Sequence, residues 1–214
     1  MIPAHEALER LREGNQRFAS DGPTRRKTMS RRRRLELAQG QEPFAIILGC
    51  SDSRVPAEII FDQGLGDLFV IRVAGNIVAP SQIASIEFAA ERFDTRLVVV
   101  LGHSRCGAIL ATLDDLERGS GERSKNLLSI VGRIRPVVEP LLRGALAADH
   151  DALVREAVRA NIRASADQLR HGSEILEQLI DRQGLLIVGA EYSLETGRVD
   201  FFHPATVAAP SAGA

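Results

Sequence analysis

Two cysteines and one histidine lie in short polar strings whose residue types suit metal chemistry. Cys50 begins the string CSDSR, and Cys106 ends the string HSRC, which starts at His103. The chain has no other cysteine. Catalytic zinc sites keep one position of the tetrahedron for water or substrate, whereas structural sites are closed by four protein ligands. With only three ligands at hand, the sequence predicts a catalytic zinc site bound by Cys50, His103 and Cys106.

Asp52 and Arg54 follow Cys50 closely enough to act at the same site. A carboxylate beside zinc can bind the metal itself or accept a proton from zinc-bound water. Arg54 keeps Asp52 ionised and competes with the metal for it, because a guanidinium can bind both carboxylate oxygens. The alternative is a turn-stabilising aspartate with a salt bridge. We favour the functional role, in which both residues are catalytic and Asp52 is a zinc ligand only in a closed resting form.

The charges of these ligands indicate what the metal could do. Two thiolates and a neutral imidazole bring zinc to a formal charge of zero, and such a centre still lowers the pKa of bound water toward neutrality. If Asp52 also coordinates, the complex becomes anionic and the water is displaced. The predicted chemistry is therefore attack by a zinc-bound hydroxide, which the position of Asp52 permits or prevents.

The segments around these strings have the pattern of strands alternating with helices. Five segments have the composition of strands, the last of them an edge strand: 44–49, 68–73, 97–102, 185–190 and 199–202. Three have helical periodicity, the last with a break near 171–172: 82–93, 107–117 and 151–182. This alternation predicts an α/β fold with a central, mainly parallel β-sheet flanked by helices.

Both candidate ligand strings follow a predicted strand directly. Cys50 comes after the first strand, and His103 comes after the third. Open α/β sheets bind ligands outside the carboxyl ends of their strands, so these residues are expected to meet there. Cys106 stands at the start of a predicted helix, where the helix dipole favours a thiolate. Gly107 would let the backbone come close to whatever lies beside that sulfur.

The first 40 residues have little apolar surface for a core of their own. They contain an amphipathic helix at 5–18 and a second short helix at 31–39. We expect residues 1–40 to form a helical arm that lies over the main domain or over a partner subunit. The zinc-binding α/β domain is predicted to span 41–207, and 208–214 is predicted to be a disordered tail.

The composition argues against several classes of protein. The chain has 214 residues, 44% of them hydrophobic, and a formal net charge of −1, as in an ordinary globular protein. The basic run at 25–34 is typical of a solvated helix face, so no nucleic-acid partner is expected. No segment approaches the roughly 20 apolar residues that cross a bilayer, and the N-terminus lacks a secretory pattern. We predict no membrane partner and a cytoplasmic location, where a Cys50–Cys106 disulfide, the alternative to metal binding, is disfavoured.

Taken together, these motifs resemble those of the β-class carbonic anhydrases. The resemblance rests on the strings CSDSR from Cys50 and HSRCG from His103, and it extends through most of the chain. Further matching motifs are LxxLxxGNxxF from Leu8, FDQGxGDxF from Phe61, AGN from Ala74 and GAxY from Gly189. The resemblance implies Cys50, His103 and Cys106 as zinc ligands, Asp52 with Arg54 as a catalytic dyad, and a substrate pocket at a dimer interface.

The resemblance also implies which residues form that pocket. Gln41 and Phe69 match pocket residues of the plant-type members, in which zinc carries water. Phe88 stands where that pocket has a tyrosine, and Ala74 stands where it has a valine. With Gly107 beside the zinc ligands, these residues would form a narrow, mainly apolar slot for carbon dioxide, with Gln41 as a hydrogen-bond donor.

The function that the resemblance implies is reversible hydration of carbon dioxide to bicarbonate and a proton, with one zinc ion per chain. It also implies self-association as a dimer or tetramer. A rival within enzymes is hydrolysis of carbonyl sulfide or carbon disulfide, which related proteins of this fold perform. A rival from another class is a non-catalytic binding protein with structural zinc, in which only Asp52 could supply the fourth ligand.

Overall fold

The structure is a computed structural model that describes residues 2–23, 30–118 and 124–202. Its strands are β1 (Ala45–Gly49), β2 (Leu68–Arg72), β3 (Leu97–His103), β4 (Leu186–Tyr192) and β5 (Val199–Phe202). They form one sheet in the order β2-β1-β3-β4-β5. The first four strands pair in parallel, and β5 pairs antiparallel with β4. The predicted α/β fold with a mainly parallel sheet is confirmed.

The described segments also contain eight α-helices. They are α1 (Ala4–Ala19), α2 (Arg31–Leu37), α3 (Ala57–Ile60), α4 (Pro80–Arg92), α5 (Gly107–Arg118), α6 (Lys125–Val138), α7 (His150–His171) and α8 (Glu174–Gln183). The predicted break near 171–172 separates α7 from α8, whose first turn is capped by Ser173. Helix α6 was not among the predicted elements. None of the helices described is long and apolar enough to cross a membrane.

The sheet is buried on both faces by separate apolar cores. All seven residues of β3 are buried, and they alternate between the cores, with Val98 and Val100 on one face and Val99 and Leu101 on the other. Helices α4 to α8 contribute to the first core, and α1 and α3 contribute to the second. Because a strand that is covered on both sides needs no polar face, the continuous apolar runs of the sequence are explained.

Helix α1 packs tightly against its own chain. Its residues Leu8 and Leu11 are buried in the second core. A Cβ atom at Gly14 would lie 1.9 Å from the carbonyl oxygen of Phe61, so only glycine allows this close approach to the turn after α3. The Asn15 amide donates to the carbonyl oxygen of Gly197 at 2.9 Å. Of the two positions expected for the arm, α1 therefore takes the one on the main domain.

Helix α2 and the C-terminal tail are the other segments that were predicted to lie outside the main domain. None of the α2 residues is buried, and Arg32 pairs with Glu36 at 3.3 Å on the exposed surface. This part of the basic run fits a solvated helix face. Contact of the arm with a partner subunit stays a prediction, and the predicted tail at 208–214 lies outside the described residues.

Candidate metal centre

The ends of two neighbouring parallel strands bring the candidate ligands together. Cys50 directly follows β1, His103 is the last residue of β3, and Cys106 directly precedes α5. Since β1 and β3 pair in parallel, their carboxyl ends lie side by side at the same edge of the sheet. The tight turn between β3 and α5 then returns Cys106 toward that edge, with Arg105 at a φ of 54°.

The three side chains form a compact, buried cluster. Their potential ligand atoms all lie within 4.8 Å of one another, and Cys50, His103 and Cys106 are 4%, 0% and 1% exposed. The two Sγ atoms are 3.9 Å apart and both thiols are free. Two sulfur atoms at about 2.3 Å from a tetrahedral zinc ion lie about 3.8 Å apart. The spacing therefore suits two thiolate ligands of one ion, whereas a disulfide requires about 2.05 Å.

The His103 ring is oriented by the backbone. Its Nδ1 lies 2.9 Å from the carbonyl oxygen of Ser104, to which a protonated Nδ1 donates. That carbonyl is itself held in place, because the Ser104 amide donates to Tyr192 and its hydroxyl donates to Glu195 at 3.0 Å. Nε2 is buried and has no hydrogen-bond partner among the described residues. A metal ion would satisfy this lone pair, and a carbonyl on the other ring nitrogen is the usual support for a histidine ligand.

The two thiols share a negative charge. The hydrogen bond from Cys106 is the main factor that lowers the pKa of Cys50, to about 4, and contacts with His103 and the backbone act in the same direction. The same contact with the Cys50 thiolate, together with burial, raises the pKa of Cys106 above its ordinary value. A buried anionic sulfur beside an unpartnered imidazole nitrogen attracts a cation, so the residues present fit a zinc ion.

Arg54 holds Asp52 at the edge of this cluster. Its Nε and backbone amide each donate to Oδ1 of Asp52 at 2.9 Å, and its Nη2 donates to Oδ2 at 2.7 Å. These bonds, the side-chain ones first, hold the pKa of Asp52 well below its usual range. Oδ2 of Asp52 is also 3.8 Å from Nε2 of His103. The carboxylate thus lies next to the candidate metal position while both of its oxygens bind the guanidinium.

Arg72, which was not among the predicted site residues, fastens the loop that carries Cys50 and Asp52. Its Nε donates to the carbonyl oxygen of Cys50 at 3.0 Å, and its Nη2 donates to that of Asp52. The sequence holds one weak signal for this role, since Arg72 is the only charged residue of strand β2. Arg72 lies at the carboxyl end of an apolar strand, and the loops that follow these ends are where open α/β sheets bind ligands.

Two of the predicted pocket residues lie beside the cluster. Ala74 begins a short 3₁₀ turn, Ala74–Asn76, whose next residue, Gly75, donates its amide to the Cys50 sulfur at 3.4 Å. Gly107 follows Cys106 and begins α5. A Cβ atom at Gly107 would have no heavy atom within 4 Å, so this position borders open space in the single chain.

The other three predicted pocket residues lie elsewhere on the chain. Gln41 is exposed and precedes β1, at the end of the strand opposite to Cys50. Phe69 lies in β2, one of the two edge strands, where it pairs with Ile46. Phe88 projects from α4 and is 53% exposed. Gln41 is thus separated from the metal cluster of its own chain by the length of a strand.

The fold and this cluster define a class of protein before any comparison. The protein is an α/β protein whose mainly parallel sheet carries a candidate zinc centre at the carboxyl ends of its strands. Two buried thiols and an imidazole form this centre, and an arginine-bound carboxylate lies beside them. Three protein ligands, with the fourth position left for water or substrate, are typical of catalytic rather than structural zinc sites.

Several known proteins are similar in sequence to this chain over most of its length. The family model described as Carbonic anhydrase matches residues 45–199. Carbonic anhydrase 2 of Mycobacterium tuberculosis is 39% identical over 194 residues, which cover 90% of this chain and 89% of that protein. The carbonic anhydrase of Mycolicibacterium smegmatis is 37% identical over 196 residues and 91% of each chain. The chain belongs to the carbonic anhydrase family.

Solved structures place it in the β class of that family. A β-carbonic anhydrase of Aspergillus fumigatus superposes with a TM-score of 0.72 at 25% identity, over 92% of this chain and 89% of that one. A tetrameric β-carbonic anhydrase of Sordaria macrospora gives a TM-score of 0.71 at 26% identity, over 95% of this chain and 98% of that one. The resemblance seen in the short motifs is therefore confirmed for the fold as a whole.

Proposed function

We propose that this protein is a zinc-dependent enzyme that reversibly hydrates carbon dioxide to bicarbonate and a proton. One observation carries the proposal: Cys50, His103 and Cys106 converge as three buried ligand atoms, with the ionised carboxylate of Asp52 beside them. The similarity to carbonic anhydrases over about nine tenths of the chain supports the same activity.

The protein's part at the metal is to supply charge and orientation. When bound, zinc supplies Lewis acidity and lowers the pKa of a water molecule toward neutrality. Cys50 and Cys106 supply two negative charges, and the neutral ring of His103 supplies none. The hydrogen bond from Nδ1 of His103 to Ser104 leaves Nε2 as the ligand atom. Burial of all three side chains excludes bulk water from their side of the centre.

Asp52 is the residue that we expect to orient or accept the proton at this site. A proton acceptor must lie within hydrogen-bond reach of the group that it serves, and Asp52 lies at the edge of the ligand cluster. Because Arg54 keeps the carboxylate ionised, Asp52 is available as a hydrogen-bond acceptor throughout the neutral range. Arg54 also withholds the carboxylate from the metal by binding both of its oxygens.

We further propose that a second copy of the chain completes the substrate pocket. Gln41, Phe69 and Phe88 are the pocket residues implied by the family resemblance, and Gln41 lies away from the metal cluster of its own chain. Phe69, Phe88 and Phe93 form an aromatic cluster at the edge of the sheet, with ring centroids 5.8 to 6.3 Å apart. The relative from Sordaria macrospora is tetrameric, which supports self-association here.

Replacing Phe88 by glutamate should dissociate the assembly and lower the rate of carbon dioxide hydration. Phe88 is 53% exposed in the single chain, so the substitution leaves the chain's own core largely intact. In an interface, the unpaired carboxylate would have to be buried, which costs several kcal/mol and raises the dissociation constant by about 100-fold or more. Light scattering should report a smaller mass, and stopped-flow kinetics a lower rate.

Ile175→Glu provides the matched control for this prediction. Ile175 is an exposed apolar residue of α8, 38% exposed. Its replacement adds the same charge on α8, to which none of the three rings of the aromatic cluster belongs, so mass and activity should stay at wild-type values. A Phe88→Glu protein that is a fully active monomer would refute the shared pocket.

The activity itself is tested by stopped-flow measurement of carbon dioxide hydration by the zinc-loaded protein. Hydrolysis of carbonyl sulfide and carbon disulfide is assayed on the same preparation. We expect hydration far above the buffer rate and inhibition by small anions. Hydrolysis of the sulfur analogues without hydration would favour the rival enzyme, and bound zinc with neither activity would make the metal structural.

A further inference from the structure

We propose that Asn161 is a positioning residue for the Cys50 sulfur and that it acts through Gly75. The Asn161 side-chain amide donates to the carbonyl oxygen of Gly75 at 2.8 Å, and the backbone amide of Gly75 donates to Sγ of Cys50 at 3.4 Å. This chain of two hydrogen bonds joins the middle of α7 to the first candidate zinc ligand. The inference rests on the proposed role of Cys50 as a ligand.

Gly75 needs an anchor from outside its own turn. It lies at a φ of 70° inside the turn Ala74–Asn76, a region of backbone space that favours glycine. A Cβ atom at this position would lie 2.9 Å from Ile134 and 3.0 Å from Ala108, so the site has no room for a side chain that could fix the backbone. Since glycine is the most flexible residue, the direction of its amide depends on what holds the carbonyl.

Two further glycines allow α7 to come close enough to provide that anchor. A Cβ atom at Gly102 in β3 would lie 2.5 Å from Ile162, and one at Gly189 in β4 would lie 2.8 Å from it. Ile162 is completely buried in this contact. The helix is therefore seated directly on the sheet, and Asn161, the preceding residue, reaches the turn behind Cys50.

The chemistry of Asn161 differs from that of its neighbours on the helix. It is 3% exposed on a face that buries mainly apolar residues such as Ala157 and Val158. A leucine would fill such a position as well as an amide does, whereas a buried amide must find hydrogen-bond partners. Its partner is the carbonyl oxygen of Gly75, whose own backbone amide donates to the Cys50 sulfur, so the buried amide of Asn161 acts on the turn behind the ligand.

The expected consequence concerns the sulfur as a ligand. An N–H donor directed at a thiolate stabilises its negative charge and holds the sulfur in position for the metal. Outer-shell partners of metal ligands typically change metal affinity by about 10- to 100-fold. Without Asn161, the Gly75 amide would lose its fixed direction, and Cys50 would bind the metal less tightly.

The test compares Asn161→Leu and Asn161→Ser with wild type and with Ser165→Ala. Ser165 is a buried polar residue one turn further along the same face of α7, so its variant controls for general disturbance of the helix. Zinc affinity is measured by chelator competition, and the thiolate-to-metal charge-transfer band is recorded after cobalt substitution. Thermal unfolding of each protein is followed in parallel.

We expect a zinc dissociation constant about 10- to 100-fold higher for Asn161→Leu, a shifted charge-transfer band, and a smaller change for Asn161→Ser, which retains a shorter donor. Unchanged affinity and an unchanged band in Asn161→Leu, even with lower thermal stability, would overturn the inference. If the leucine variant does not fold, the same outcomes are read from the serine variant. A wild-type protein without a charge-transfer band would instead contradict Cys50 as a ligand and thus the proposed function.

Discussion

Replacing Cys106 by serine is expected to release most of the zinc from the purified protein and to abolish measurable carbon dioxide hydration. Cys106 is 1% exposed, and its sulfur is 3.9 Å from that of Cys50, so the substitution removes one of two adjacent anionic ligands. A serine hydroxyl does not ionise near neutral pH and cannot replace a thiolate. Loss of an outer-shell partner alone costs about 10- to 100-fold in metal affinity, and loss of a ligand should cost more.

Metal analysis with thermal unfolding checks this prediction. His171→Gln is the control, because His171 is an exposed histidine at the end of α7 and its loss should leave the zinc content unchanged. X-ray absorption of the wild-type protein should show two sulfur atoms at about 2.3 Å from zinc and a nitrogen atom at about 2.0 Å. Full zinc retention in a folded Cys106→Ser protein would remove Cys106 from the ligand set.

Arg54→Ala should lower the hydration rate by about 100-fold or more while zinc stays bound. The substitution removes both side-chain hydrogen bonds that Arg54 makes to Asp52. The released carboxylate, 3.8 Å from Nε2 of His103, is then free to bind the metal and to close the position that water needs. Zinc analysis and stopped-flow hydration between about pH 6 and 9 separate this outcome from metal loss.

Further variants at the Arg54–Asp52 pair, and a control variant at a distant ion pair, separate the loss of the hydrogen bonds from a general effect of removing an arginine. Arg54→Lys keeps the charge but cannot bind both carboxylate oxygens as a fork, so an intermediate rate is expected. Arg143→Ala breaks an exposed arginine–glutamate pair at 3.0 Å and should have no effect. Asp52→Asn should retain zinc but turn over slowly, because the proton acceptor is lost. Wild-type rates in Arg54→Ala throughout this pH range would contradict the proposed competition for Asp52.

Acid should not rescue Arg54→Ala. The pKa of Asp52 is depressed in the wild-type fold, chiefly by the Arg54 side chain, so the carboxylate is ionised well below neutrality. Arg54→Ala removes this cause, so protonation of Asp52 would begin at a higher pH than in the wild type, but still in acid. A depressed carboxylate pKa contributes stability above the unfolded pKa, and this contribution is lost only as the pH falls through the folded value. Acid strong enough to protonate Asp52 also protonates thiolate ligands and disfavours metal binding. Hydration rates that rose on acidification would argue against this account.

The strands that carry the ligands could be predicted because burial on both faces requires a continuous apolar run, which is visible in the sequence. β1 and β3 are covered on both faces, so every residue except His103 at the end of β3 is apolar or small, and both strands lead into the polar strings that carry the ligands. Helix α6 was not predicted because Gly132 and Pro136 are both poor helix formers. Tertiary packing outweighs that propensity, since Ile134 and Val138 on the same helix are completely buried.

The hydrogen bonds that support the ligands could not be predicted in the same way. Arg72 and Asn161 are single polar residues in otherwise apolar segments, and their partners lie far away in the chain. The carbonyl to which each side chain donates depends on how a strand or a helix is positioned in the fold, and the local sequence does not specify that position. Gln41 and Phe88 were assigned to the pocket by resemblance alone, because the periodicity of one chain carries no sign of the pocket that we propose two copies share.

We propose that zinc at Cys50, His103 and Cys106 enables this protein to hydrate carbon dioxide. The most direct test is to prepare the metal-free protein and to measure its hydration rate while zinc is added in known amounts. We expect a rate near that of buffer without zinc, which rises in proportion to added metal and levels off at about one ion per chain. Full activity before any zinc is added, or a zinc-loaded protein no faster than buffer, would contradict it.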